Sequence, residues 1–223
     1  MSKRIALTLM GLLLASAGCN SQGARELTDL GQRLIDRITG STAVNDALRM
    51  EDHDFPNERR IGINRLVNRW YGREAPYTTR YAQIATTDDS PLVRAAAIRA
   101  LNRSRDTSAK EIYIKALSDR DAHVRLEAAK ALVNMPDPAA TSRLITLMRD
   151  PRENLDVRIA AAEALQHYQT LEVARSLAAM LQDRQFSVAW QARQSLIALT
   201  GTDYRYNEPA WLRHLTSERP FAA

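Results

Sequence analysis

The residues of this 223-residue chain that could carry chemistry are few and scattered. Cys19 is the single cysteine, so no intramolecular disulfide and no thiolate metal cluster can form. The four histidines follow Asp52, Ala122, Gln166 and Arg213, in no shared spacing that would build an imidazole metal centre. His123 reads as an exposed residue in a turn, and His167 as one near a helix end. No Gly-x-Ser-x-Gly turn, P-loop or dinucleotide-binding glycine pattern occurs. Glu51-Asp-His-Asp54 is a small acidic cluster before Pro56. Carboxylate oxygens suit a hard cation, but the segment reads as a solvated loop. The expectation is a chain with no catalytic residue, no metal and no cofactor.

Cys19 has a different chemistry open to it. Lys3 and Arg4 precede an apolar or small run from Ile5 to Ala17, the layout of an export signal. That run of 13 residues is well short of the ~20 a membrane-spanning helix needs. Its ending, Leu14-Ala-Ser-Ala-Gly-Cys19, resembles a bacterial lipobox, with Ser16 where that family usually has Leu. The resemblance implies cleavage after Gly18 and lipidation of Cys19. Acyl chains would supply the membrane affinity, since each buried CH₂ contributes ~0.8 kcal/mol. Asn20 in place of an aspartate points to the outer membrane, and Ser21-Gln-Gly-Ala24 reads as a tether. The expected location is the cell envelope, lipid-anchored and facing the periplasm. Removal of Lys3 and Arg4 would lower the formal net charge of +5 by two. The remaining charges are spread along the chain, with no basic run longer than two, so a mixed solvated surface is expected rather than a nucleic-acid stripe.

The elements that would position any site come from an internal repeat. Four segments align: Val93-Arg-Ala-Ala-Ala-Ile-Arg-Ala-Leu101, Val124-Arg-Leu-Glu-Ala-Ala-Lys-Ala-Leu132, Val157-Arg-Ile-Ala-Ala-Ala-Glu-Ala-Leu165 and Val188-Ala-Trp-Gln-Ala-Arg-Gln-Ser-Leu196. Their starts are 31, 33 and 31 residues apart. Asp88, Asp119, Asp150 and Asp183 precede them, and the third copy carries a two-residue insertion in the turn 151–156. Counting from the Val, an Ala stands four later, a small residue seven later and a Leu eight later. That spacing makes one helical stripe. The small residues let neighbouring helices approach closely. Ahead of each Asp lies a second amphipathic segment: Tyr81–Ile84, Ile112–Leu117, Leu144–Met148 and Leu177–Leu181. Each repeat is therefore a helix pair whose apolar face only a neighbour can cover. Ser108 with Glu111 has capping-box spacing. Ser90-Pro91 and Asp137-Pro138 place a cap before a proline, and Gly201 reads as a helix stop. Aromatics at 6% and 8 glycines argue against an all-β fold, while 45% hydrophobic residues suffice for a core.

The pattern of Asp, then Val-Arg, then Ala-rich positions ending in Leu resembles the HEAT-like repeats of the phycobilisome-lyase type, over roughly Tyr77 to Gly201. The resemblance implies an all-α fold, an α-solenoid of HEAT-like helix pairs. It also implies structural work for the Asp, which caps the turn, and for Arg94, Arg125 and Arg158, which tie repeats together. The fourth copy has Ala189 there and lacks the tie. A weaker copy, Arg59-Arg-Ile-Gly-Ile-Asn-Arg-Leu66, puts Ile63 over Ile98 and Leu66 over Leu101. Leu27, Leu30, Leu34, Ile35 and Ile38 form a stripe before Gly40, and Trp211 with Leu215 would seal the far end. The expected organisation is a signal peptide over 1–18, a tether over 19–24, an N-terminal helical cap with a degenerate repeat over 25–76, four repeats over 77–200 and a C-terminal cap over 201–223.

Two enzyme families share this repeat: bilin lyases, and deoxyhypusine hydroxylase, whose His-Glu dipeptides hold two irons. This chain has no His-Glu dipeptide, which removes the di-iron reading. A bilin-lyase-like enzyme or ligand carrier remains an alternative, and a nucleic-acid-binding HEAT-like protein a more distant one. The reading preferred here is a non-catalytic scaffold that binds an unknown protein partner. Second helices of such repeats line the concave side. Six positions after each Val stand Arg99, Lys130, Glu163 and Gln194, and three after stand Ala96, Glu127, Ala160 and Gln191. Both columns are expected to point away from the apolar stripe. The candidate surface is thus Arg99, Glu127, Lys130, Glu163, Gln191 and Gln194, basic at the first repeats and acidic or neutral at the last, a gradient able to orient a partner. Trp190, in the column of Ala95, Leu126 and Ile159, is expected to be buried filling rather than a recognition anchor.

Overall fold

Why the chain winds into helix pairs follows from its columns of small and branched residues, which fill both sides of each second helix. The structure, a computed structural model, describes residues 41–217 and 220–222. The expected signal peptide over 1–18, Cys19, the expected tether over 19–24 and the Leu27–Ile38 stripe lie outside the described residues. Within them the chain forms eleven α-helices in five pairs and a closing helix. The pairs are α1 (Ser41–Met50) with α2 (Pro56–Val67), α3 (Tyr77–Thr87) with α4 (Pro91–Ser104), and α5 (Lys110–Ala116) with α6 (Ala122–Asn134). They continue with α7 (Thr141–Arg149) and α8 (Leu155–Ala164), then α9 (Leu171–Ala179) and α10 (Phe186–Thr200), and α11 (Glu208–His214) closes the series. Second helices pack side by side in the order α2, α4, α6, α8, α10. First helices α3, α5, α7 and α9 lie behind them, and α11 packs on α9. The molecule is an all-α solenoid of HEAT-like pairs.

The four Val, the four Leu and the Ala four after each Val are fully buried. At the same place in the first pair stands Gly62, where a Cβ would lie 2.5 Å from Asp46 O and from Met50 N. Only glycine allows α1 and α2 to come this close. The small column (Ala100, Ala131, Ala164, Ser195) is buried too, and Ser195 Oγ donates to Ala162 O of the preceding second helix at 2.7 Å. A hydroxyl in that column thus finds the neighbour's backbone instead of remaining unpaired. At the far end Trp211 and Leu215 are buried, and the indole N–H donates to Arg205 O at 2.9 Å. Gly201 ends α10 with φ +71°, the left-handed turn that glycine adopts without a steric penalty.

Local expectations differ from the structure at two places. Ser108 does not cap a helix through a box with Glu111. Asp106 accepts the Ser108 N–H at 2.9 Å and starts a 3₁₀ turn, so α5 begins only at Lys110. A carboxylate two residues earlier in the chain takes the donor first. Ser90 precedes Pro91 but makes no side-chain cap; its backbone N–H donates to Asp88 Oδ1 at 2.9 Å.

Candidate functional site

Each turn inside a helix pair is built on an aspartate. Asp88, Asp119, Asp150 and Asp183 each accept the N–H two residues ahead, from Ser90, Asp121, Arg152 and Gln185, all at 2.9 Å. Asp52 does the same for Asp54 at 3.0 Å and for Phe55 at 2.9 Å. The acidic cluster before Pro56 is therefore the first of five such turns. Its Glu51 is bound by Arg80, at 2.5 and 2.7 Å, so two of its acids have structural partners. Among the described residues no group of His, Cys, Asp and Glu is arranged to hold a metal ion.

The arginine that follows the Val in the first three copies, and Arg59 at the same register in the first pair, joins one turn to the next. Arg94 donates to both oxygens of Asp119 at 2.8 and 3.0 Å, and its third nitrogen reaches Asp88 O at 2.8 Å and Asp89 O at 3.1 Å. Arg158 spans Asp183 at 2.5 and 3.4 Å and reaches Met148 O at 2.9 Å. Arg59 of the first pair bridges to Asp88 at 2.8 and 3.0 Å and to Asp52 O at 2.8 Å. Arg125 departs from the series. It pairs with Glu153 at 2.6 and 2.7 Å instead of with Asp150, because the insertion places Glu153 where the neighbouring guanidinium arrives. Arg59, Asp52 and Glu153 are the members that repeat reasoning left unassigned. Arg59 was visible in the weak register, whereas Glu153 was hidden by the insertion. Forked guanidinium–carboxylate pairs of this type are geometrically specific, and Arg94 and Arg158 are almost wholly buried.

Burial pushes the Asp119 carboxyl up, but the Arg94 fork, the Asp121 N–H and the charges of Arg94 and Arg120 together bring it below its ordinary value. Asp183 behaves alike: burial raises it, and the Arg158 fork with the Gln185 N–H outweighs that. Three phenols are pushed up chiefly by burial. Tyr81 donates to Gly72 O at 3.0 Å, and Tyr168 accepts the Asp137 N–H at 3.1 Å. Tyr113 Oη is buried without a hydrogen-bond partner among the described residues.

The candidate surface is only partly where the sequence put it. Arg99 and Lys130 are exposed, and Glu163, Gln191 and Gln194 are half-buried. Glu127 is corrected: it is 6% exposed and accepts the Arg99 fork at 2.8 and 3.1 Å. Three positions after the Val, the helix meets its neighbour, which buries Ala96 and Ala160 as well. Trp190 is corrected in the opposite sense. It is 46% exposed. Its column is buried at Ala95, half-buried at Leu126 and Ile159 and open at Trp190, because Val188, Ala192 and Leu196 already fill the space inward.

The fold and its arginine ties define a HEAT-like α-solenoid. A family model of HEAT repeats matches residues 79–155. The chain is similar in structure to YibA of Escherichia coli, at 20% identity and a TM-score of 0.61 over 97% of this chain and 77% of that one. It is also similar to the CpcE–CpcF complex of phycocyanin lyase from a Nostoc species, at 22% identity and a TM-score of 0.52 over 70% of this chain and 98% of that one. A designed armadillo repeat protein aligns at 15% identity and a TM-score of 0.58, over 78% of this chain and 92% of that one. These likenesses concern the fold. No curated protein sequence matches the chain.

Proposed function

We propose that this chain is a non-catalytic adaptor of the bacterial cell envelope, lipid-anchored through Cys19 at the outer membrane and facing the periplasm. It holds a protein partner on the open face of its second helices. The observation that carries the binding half is the row α2, α4, α6, α8 and α10, which exposes Arg99, Lys130, Leu155, Phe186 and Trp190 on a series of helix pairs joined by arginine forks. Repeat arrays bind through extended surfaces of this type. The location rests on the basic start, the short apolar run and Gly18-Cys19 in the sequence. Among the described residues no helix is long and apolar enough to cross a membrane.

Intact-mass spectrometry of protein from the native membrane fraction tests the anchor, beside a Cys19→Ser variant. A mature chain starting at Cys19 with added acyl mass, lost in the variant, is expected. A soluble chain still beginning at Met1 overturns the location. Pigment or metal retained through purification from native cells overturns the adaptor reading in favour of a bilin-lyase-like enzyme or ligand carrier.

A further inference from the structure

The open face of the second helices has two unlike corners. Residues two before, two after and six after each Val are spaced by four, so they share one side of each helix. The columns two before and two after the Val grow more apolar and more exposed along the array. Pro91 and Ala95 of α4 give way to Ala122 and Leu126, then Leu155 and Ile159, then Phe186 and Trp190. Leu155 is 39% exposed and Phe186 69%. The column six after the Val runs the other way, from Arg99 and Lys130 to Glu163 and Gln194.

The apolar corner is braced from behind. Phe186 lies 6.0 Å from the Tyr206 ring, and the Arg193 guanidinium sits 5.5 Å over that ring while paired with Asp203. An exposed aromatic ring held in place by a second ring, as Phe186 is by Tyr206, is the type of anchor that dominates protein interfaces. The basic corner is a groove lined by Arg73, Asn102, Arg103, Arg105 and Asn134. Arg103 and Arg105 have no ion-pair partner among the described residues, and Arg99 and Lys130, beside the groove, share the single carboxylate of Glu127. Asn134 Nδ2 donates to Asn102 Oδ1 at 3.0 Å, which joins α4 and α6 across its floor.

We propose that this face binds one amphipathic, acidic segment of a partner protein, which lies across the array with its carboxylates over α4 and α6 and its apolar side chains on Phe186 and Trp190. The inference rests on the adaptor reading and names the chemistry of its partner. Charge complementarity fixes the direction of the segment, and the aromatic corner supplies the anchor. Helices packed at ~8–10 Å put α4 and α10 about 30 Å apart, a span covered by roughly 20 residues if the segment is helical.

Binding is read by fluorescence anisotropy with synthetic peptides. One carries a glutamate-rich half followed by a leucine- and phenylalanine-rich half. Two controls replace the glutamates by lysines or the apolar half by serines. Vesicles containing phosphatidylglycerol are the competing probe. The acidic amphipathic peptide is expected to saturate, and each control to bind about tenfold more weakly or worse. The paired changes Arg103→Glu with Arg105→Glu, and Phe186→Ser with Trp190→Ser, are each expected to weaken it by a similar factor, while Arg175→Glu on α9 leaves it unchanged. Peptide binding that fails to saturate, or that ignores both pairs of changes, overturns the proposal. So does vesicle binding with the same sensitivity and no competition by the peptide, which would make the face a membrane surface. Photo-cross-linking in native cells separates this failure from that of the adaptor reading. Probes in place of Arg103 and Trp190 should trap one protein, through an acidic stretch and an apolar stretch respectively. Capture only from a probe in place of Arg175 rejects this face and keeps the adaptor; capture from none rejects both.

Discussion

Two tyrosines of the first-helix layer separate the cost of burying a hydroxyl from the gain of bonding it. Tyr81 and Tyr113 are both fully buried, yet only Tyr81 has a partner, the Gly72 carbonyl. Tyr81→Phe is expected to lose about 1 kcal/mol in urea unfolding, the net worth of one hydrogen bond. Tyr113→Phe should be neutral or stabilising, because it removes a desolvated hydroxyl and keeps the ring. Equal losses for the two would show that Tyr113 Oη is satisfied in solution. The arginine forks sharpen the same point. Arg94→Ala leaves Asp119 sheltered and unpaired, and should cost about 3 kcal/mol by the measure of a broken buried pair. In the third repeat the fork has moved, so Glu153→Ala should cost clearly more than Asp150→Ala, which loses only a turn hydrogen bond. The reverse order in urea midpoints would place Arg125 on Asp150.

Element by element, what was legible depended on whether a side chain answers to its own helix or to a neighbour. The Val, Ala and Leu columns are set by the period of one helix, so they could be read from spacing alone. Glu153 answers to an arginine 28 residues away, and only the shape of an inserted turn brings the two together. Asp52 is hidden for a related reason: it stands 36 residues before Asp88, whereas the later turn aspartates are 31 or 33 apart, so the repeat spacing does not single it out of its acidic cluster. Of the candidate surface, the exposed Arg99 and Lys130 stood in a readable column, but the burial of Glu127 and the exposure of Trp190 depend on how closely adjacent second helices meet. That closeness is itself testable. Ala131→Leu would drive a large side chain into the contact between neighbouring second helices and should destabilise by about 1–3 kcal/mol, the usual cost of overpacking. Ala198→Leu, exposed on α10, should leave the melting temperature nearly unchanged. A tolerated Ala131→Leu would mean that the helices can part without loss.

At the scale of the molecule, the ties decide whether five pairs behave as one body. A solenoid has only nearest-neighbour contacts, so its cooperativity is the sum of its interfaces. Asp119 holds the α4–α6 junction and Asp183 the α8–α10 junction, and both carboxyls sit below their ordinary value in the folded chain. The folded state therefore binds fewer protons than the unfolded state as the pH falls past the ordinary carboxylate value of ~3.9. Stability from these pairs is complete above that value and is lost as the pH drops through the lowered folded values. Urea midpoints should be flat from pH 7 to about 5 and then fall steeply towards pH 3. Asp119→Asn should be less stable at pH 7 and lose less on acidification, since its carboxylate no longer titrates. Because the change sits at one interface, it should also uncouple the pairs on either side of it. The expected sign is a shallower urea transition by circular dichroism, with the α1–α4 end melting apart from the α5–α11 end. A single transition of unchanged steepness in Asp119→Asn would mean that apolar packing alone, through Val124, Ala128 and Leu132, carries the coupling between repeats, and that the forks fix register without supplying cooperativity.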